Sequence, residues 1–421
     1  MKKHIVLLVT AALVYLPGSA LAQRQYELVP SISVSETYDD NIFLTHTNEQ
    51  SDYITAVTPS LALNVLTRDT TLGMTYAPSF VWYKDFSEND TTRHLGTVSW
   101  DQQLTRYLDF NLANSYLRSE DPLEDETDLR ALRTTRNKYW VNTGRAGFGY
   151  VFGPDSRLGV GYGRQDRKND DPALDDSKVQ TPFADLTHWF NVRHGIALNY
   201  TYTDAEFTRK DGLPARDDFT GHGAGVRYMH RFNPRTSAYV AYGYTTRDFD
   251  GLEEDYDVHN GSVGLDHAFS PEYSISAGAG YFKRVNDVSA NQDGPTFNLA
   301  LTRTFARGTV TVGGDGGWAE DYIDRDRTGF TKYYGGFARV AYQVLEQVGV
   351  YAGASYRQDK DDLDVQSKFF RGNCGVRWSF MRWFALSLDY TYADRNDDID
   401  TDSYSNNRVM LILSAAKPYR F

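Results

Sequence analysis

The sequence predicts an all-β fold, a transmembrane antiparallel β-barrel of about twenty strands, or about eighteen if one hairpin is miscounted. Three observations lead there. Side chains alternate between apolar and polar along most of the chain. Tight turns recur at similar intervals. The composition is rich in tyrosine and glycine, with 30 Tyr and 34 Gly among 421 residues.

The alternation defines the strands. Tyr53, Val57, Pro59, Leu61, Leu63 and Val65 alternate with Ala56, Thr58, Ser60, Ala62 and Asn64. Leu72, Met74, Tyr76, Pro78, Phe80 and Trp82 alternate with Gly73, Thr75, Ala77 and Ser79. The pattern returns at Ile196–Tyr202 and at Phe384–Tyr392. Successive side chains of a strand point to opposite faces, so period two means a sheet with two unlike faces. No stretch after residue 22 has a helical period.

The turns set the count. Tight turns follow Leu66, Leu104, Phe152, Phe190, Phe232, Phe269, Phe305, Leu345 and Phe380, at intervals of 38, 48, 38, 42, 37, 36, 40 and 35 residues. Between them lie longer acidic connections at Ser119–Leu129, Asp248–Asp257, Glu320–Arg327, Gln358–Asp364 and Asp394–Asp402. Short turns alternating with longer polar loops are the layout of a membrane barrel, with turns on the periplasmic side. Eight turn-to-turn intervals and one hairpin at each end make about twenty strands. The longest connections are expected to reach about fifteen residues, too short to plug so wide a barrel.

The bulky residues belong outside. One face carries Tyr, Phe, Trp, Leu and Val, and the other carries Gly, Ala, Ser, Thr, Asn and Asp. So many large side chains do not fit inside one barrel, but they suit lipid, which also forbids an open sheet edge. Trp82, Tyr202 and Tyr392 at one end, and Phe190, Phe232 and Phe269 at the other, are expected to form two interfacial girdles.

Targeting and composition agree. Lys2 and Lys3 precede an apolar run from Ile5 to Leu16, and Ala20-Leu21-Ala22 is an A-x-A cleavage site. Residues 1–22 are therefore expected to be a signal peptide and residues 23–421 the barrel domain. Without the two lysines, 42 basic residues remain against 56 acidic, a net charge of -14. That charge disfavours nucleic acid as a partner. A mean hydropathy of -0.54 excludes a polytopic helical membrane protein. The single cysteine, Cys374, excludes a disulfide framework.

Pro30-Ser31-Ile32-Ser33-Val34-Ser35-Glu36-Thr37-Tyr38-Asp39-Asp40-Asn41-Ile42-Phe43 resembles the opening of a group of outer-membrane β-barrel porins. Thr58-Pro59-Ser60-Leu61, Tyr76-Ala77-Pro78 and the closing Pro418-Tyr419-Arg420-Phe421 share that resemblance. The group is often found beside exopolysaccharide biosynthesis and export genes. The resemblance covers nearly the whole mature chain and implies export of exopolysaccharide, with a separate periplasmic export protein as partner. Phe421, ending an amphipathic strand, resembles the signal read by the barrel-assembly machinery. Pro418 departs from an uninterrupted strand, so the end of the chain is expected to leave the sheet early.

By alternation, Arg145, Arg227, Arg339, Arg371 and Arg377 point into the lumen, as do Asp101, Asp109, Asp315 and Asp389. Asn111, Asn199, Asn373, Tyr139, Tyr239 and Tyr351 join them. Such a set argues for a wet interior, because these charges are costly in a dry one. Aromatic faces and polar groups could also hold sugars. Charge of both signs does not choose between neutral and acidic cargo.

Asp394–Asp402 and the group Asp321, Asp324 and Asp326 lack the spacing of a calcium loop, and solvated loops near lipopolysaccharide are the simpler reading. No histidine lies in a hydrolase or metalloprotease motif. His222 and His230 share a face but stand too far apart to share a metal. No enzyme, metal site or cofactor is expected. The expectation is an outer-membrane channel, with exopolysaccharide export first and a general porin for small solutes as the alternative. A barrel enzyme or an adhesive barrel stands behind both.

Overall fold

A computed structural model describes residues 25–121, 136–320, 322 and 329–421. The segment read as a signal peptide lies outside these residues, as do Asp321, Asp324 and Asp326.

Twenty long strands follow one another. They are β1 (Gln25–Asp39), β2 (Asp52–Leu66), β3 (Thr70–Tyr83), β4 (Thr91–Gln103), β5 (Leu108–Ser119), β6 (Tyr139–Gly153) and β7 (Ser156–Asn169). Next come β8 (Asp176–Trp189), β9 (His194–Thr208), β10 (Phe219–Asn233), β11 (Thr236–Phe249), β12 (Tyr256–Ala268) and β13 (Tyr273–Asn286). The last are β14 (Gln292–Phe305), β15 (Gly308–Glu320), β16 (Phe330–Leu345), β17 (Val348–Asp361), β18 (Gln366–Met381), β19 (Phe384–Asp397) and β20 (Tyr404–Ala416). Each pairs antiparallel with its sequence neighbours, and β1 also pairs with β20, so the sheet closes.

The end of the chain corrects one expectation. Strand β20 pairs Ser31 with Ala416, and beyond Pro418 the register resumes unshifted with Leu28 opposite Tyr419 and Glu27 opposite Arg420. Lys417 N–H still donates to Pro30 O at 3.2 Å. The final segment stays in the sheet. Proline removes one donor and leaves the strand's direction intact.

The loops need a second correction. Strands of 12 to 16 residues stand roughly 35 Å tall at the usual rise and tilt, more than the apolar band of a barrel. They run on into the acidic stretches: Asp248 lies in β11, Asp257 in β12, and Asp394 and Asp397 in β19. The strand ends, rather than long loops, carry much of that charge. The β5–β6 connection is longer than expected, running from Glu120 to Lys138.

The nine tight turns fall at the marked positions. At several of them a bulge interrupts the register, between Val151 and Gly153 and between Arg231 and Asn233. Bulges bend and twist a strand end, which suits closure of a wide sheet. Asp155 takes a positive φ of 55° in one such turn, a conformation that Asp tolerates better than most residues.

The apolar row faces outward. Tyr76, Leu61, Val240, Tyr281 and Val312 are half exposed on the bare barrel. Phe190, Phe232 and Phe269 protrude near the turns, and Trp82 near the opposite end. The histidines join these girdles. His94, His222 and His259 bond the hydroxyls of Tyr76, Tyr200 and Tyr242 at 2.8, 2.8 and 2.7 Å. Nearer the turns, His188, His230 and His267 meet Phe190, Phe232 and Phe269 edge to face.

Candidate functional site: the lumen and its outer constriction

The lumen wall is built from the small row. Gly, Ser, Thr, Ala and Asn point inward because the large residues take the lipid face. Recesses open along this wall, three of them lined wholly by described residues. One of about 610 Å³ is lined by Asp315, Tyr333, Arg339, Arg357, Arg371 and Asn373, among others. A second, of about 500 Å³, is lined by Asn64, Thr75, Thr97, Ser115, Thr143 and Arg145. A third, of about 390 Å³, holds Asp101, Asp109 and Arg157 near the turns.

These recesses collect most of the residues named from alternation. Arg157 Nη2 donates to Asp109 at 2.6 Å. Tyr351 Oη donates to Asp389 at 2.6 Å. Arg227 lies over the Tyr239 ring, 4.4 Å from its centroid. Asn199 stands opposite Gly225 and Asn111 opposite Gly147 on the same face. Arg377 is an exposed residue two positions beyond Gly375 on β18. Tyr139 differs from the others: it is 1% exposed and sits in the packed outer end rather than on an open wall.

That outer end is the constriction. On one side, among the described residues, is an ionic network of three arginines and three acids. Arg136 donates to Tyr83 Oη at 3.0 Å and contacts Asp39 at 3.4 Å. It also donates to the Ile42 carbonyl. Arg408 bridges Asp39 and Asp121 at 3.2 and 3.1 Å. Arg93 reaches Glu120 at 2.6 Å, and Tyr83 Oη donates to the same carboxylate at 2.8 Å. Asp39 and Glu120 are fully buried. Charges so buried persist only when paired and hydrogen-bonded, which these are. Asp121 and Arg136 belong to the β5–β6 connection, so both described ends of that loop are turned into the barrel mouth.

On the other side is an aromatic cluster. Phe207, Phe219, Tyr256, Phe282, Tyr322 and Phe330 pack together inside the barrel. The β15–β16 hairpin makes this possible. Register between β14 and β15 stops at Phe297 opposite Gly316, while β15 and β16 stay paired to Glu320 and Phe330. The hairpin end leaves the wall and brings Trp318 onto Phe330, with centroids 5.6 Å apart. Arg247 ties it in place through Glu320 at 2.7 Å, and Arg216 donates to Tyr322 O at 2.8 Å. Burial drives the Tyr322 hydroxyl pKa upward, so it stays protonated.

Sequence reasoning missed this constriction, because its partners come from strands far apart in the chain. It also missed a histidine pair. His194 and His230 are cross-strand partners with Nδ1 atoms 3.4 Å apart, and the Tyr228 hydroxyl bonds His194 at 2.5 Å. Every histidine on a strand projects outward, so none lines the lumen. Among the described residues no group of three His, Cys, Asp or Glu side chains could hold a metal ion.

No protein-family model matches the chain, and no curated protein sequence does. Solved structures do. The FrpB iron transporter from Neisseria meningitidis superposes with a TM-score of 0.55 at 8% identity, over 92% of this chain and 82% of that one. The siderophore receptor PirA from Pseudomonas aeruginosa gives 0.52 at 8% identity, over 94% and 81%. OccAB4 from Acinetobacter baumannii aligns over 94% of this chain and 99% of its own, at 12% identity and a TM-score of 0.43. The chain is an outer-membrane β-barrel. At these identities the likeness shows the fold, and its use must come from the lumen.

Proposed function

We propose that the barrel is a passive channel for small polar solutes across the outer membrane. The observation that carries this reading is the inward row. Below the constriction it is lined by small polar side chains and open recesses, with some charged groups held by hydrogen bonds, as in Arg157–Asp109 and Tyr351–Asp389, and others stacked on rings. Such a wall stays wet and needs no bond chemistry. The packed outer end narrows the path, which favours small solutes over a polymer. Export of exopolysaccharide rests on the sequence resemblance alone, and neither the fold nor its structural neighbours add to it.

Liposome swelling tests the proposal. Vesicles containing refolded protein should swell in glycine, glucose and maltotriose at rates that fall with solute size. Rates equal to those of protein-free vesicles for all three solutes would overturn it.

A further inference from the structure

Three arginines of the lumen share one construction. Arg145 lies over the Phe183 ring, with its guanidinium carbon 3.6 Å from the centroid. Arg227 lies over Tyr239 at 4.4 Å and Arg339 over Phe337 at 5.0 Å. Each ring is placed by a glycine directly opposite it on the next strand. Gly161 pairs with Phe183, Gly264 with Tyr239, and Gly313 with Phe337. A Cβ on these glycines would stand 2.3, 2.3 and 2.7 Å from the respective ring. The missing side chain lets the ring lie flat against the wall, and the flat ring carries the guanidinium.

Stacking leaves the edge of a guanidinium, where its N–H donors are, turned to the lumen. All three arginines are exposed, six to eight residues from the periplasmic end of their strands. The described carboxylates form no ion pair with any of them, whereas Arg93, Arg157, Arg231, Arg247, Arg284, Arg357, Arg395 and Arg408 all have one. One acid at this height is occupied differently. Asp389 accepts from the Tyr351 hydroxyl at 2.6 Å, and Asp315 shares a recess with Tyr333. That tyrosine hydroxyl softens the Asp389 charge toward the lumen, whereas among the described residues no carboxylate pairs with the three cations.

We infer that Arg145, Arg227 and Arg339 are binding platforms for carboxylate-bearing solutes, and that the lumen prefers anions although the chain as a whole is acidic. The inference rests on the channel reading for its transport consequence and on geometry alone for binding. A guanidinium edge takes a carboxylate through two parallel N–H donors, and the ring beneath keeps the group from collapsing onto a neighbouring acid.

Two measurements test it. In planar bilayers under a potassium chloride gradient, the wild type should show a zero-current potential on the chloride side. The triple variant R145Q/R227Q/R339Q should move to the potassium side, because the lumen acids remain. In detergent, calorimetry should show trigalacturonate binding to the wild type and at least about tenfold weaker binding to the triple variant, with maltotriose bound by neither. Heat-modifiable gel mobility identifies variants that have folded, and R145K/R227K/R339K should retain the chloride preference. A conducting wild type with no preference, or with a cation preference, would overturn the inference. So would equal trigalacturonate binding by wild type and triple variant. A barrel that binds trigalacturonate yet carries no current would remove the channel reading and leave the platforms standing.

Discussion

Phe421 and Tyr26 close the barrel. The N–H of Phe421 donates to Tyr26 O at 2.9 Å, and the N–H of Tyr26 donates to Phe421 O at 3.3 Å. The last residue of the chain is thus zipped to the first strand, with its ring exposed at the rim.

Deleting Phe421 should separate its two roles. Two terminal hydrogen bonds contribute about 1 kcal/mol each, so refolding in detergent should be nearly normal. If the exposed ring is also read by the assembly machinery, as proposed from its resemblance to that signal, the yield of heat-modifiable barrel in cells should fall sharply. Equal yields in cells would count against the assembly role.

The ionic network should respond strongly to loss of one member. Arg136→Ala takes one cation from Asp39 and Asp121, but both keep Arg408, so the cost falls below the roughly 3–5 kcal/mol of a buried charge left unpaired. The β5–β6 loop should then release from the mouth. Single-channel current should rise relative to wild type, with a small drop in thermal stability. Unchanged current would show that this side of the constriction does not limit flow.

Acid should loosen the outer loops late. Glu254 accepts from the Ser289 and Val288 N–H groups, and its bonds to Ser289 hold its pKa below the ordinary carboxylate range. Asp211 is lowered in the same way, chiefly by the Leu213 N–H. A depressed folded pKa means the tie is intact above the unfolded value and is lost as pH falls through the lower one. Limited proteolysis at these two loops should be unchanged from about pH 7 to about pH 5 and should rise only below the ordinary carboxylate range of about pH 4. A rise already complete at pH 5 would contradict it.

Much of this architecture is legible in the sequence because a barrel is a local code. Alternation at Leu72–Trp82 fixes two faces without knowledge of any partner, and a bulky residue before a turn, as at Phe152, marks the strand end. The acidic stretches are less legible, because local polarity suits a loop and a tall strand's end alike, and here the strands carry polar residues beyond the membrane. The constriction was not legible. Asp39 and Arg136 are 97 residues apart, and nothing local says that they meet. The Arg145 and Arg227 platforms each draw on three strands, and that of Arg339 on two. Arg145, Phe183 and Gly161 are unremarkable singly, and only the register brings the ring under the guanidinium.

The barrel wall has two unlike faces, and neighbouring residues of β18 sample both. Cys374 is exposed on the lipid side, and its neighbour Asn373 lines a lumen recess. In sealed proteoliposomes, the native Cys374 should react with an apolar maleimide and resist a charged one. The Asn373→Cys variant in a Cys374→Ser background should react readily with the charged reagent. The opposite pattern would place the apolar row inside and contradict the whole account.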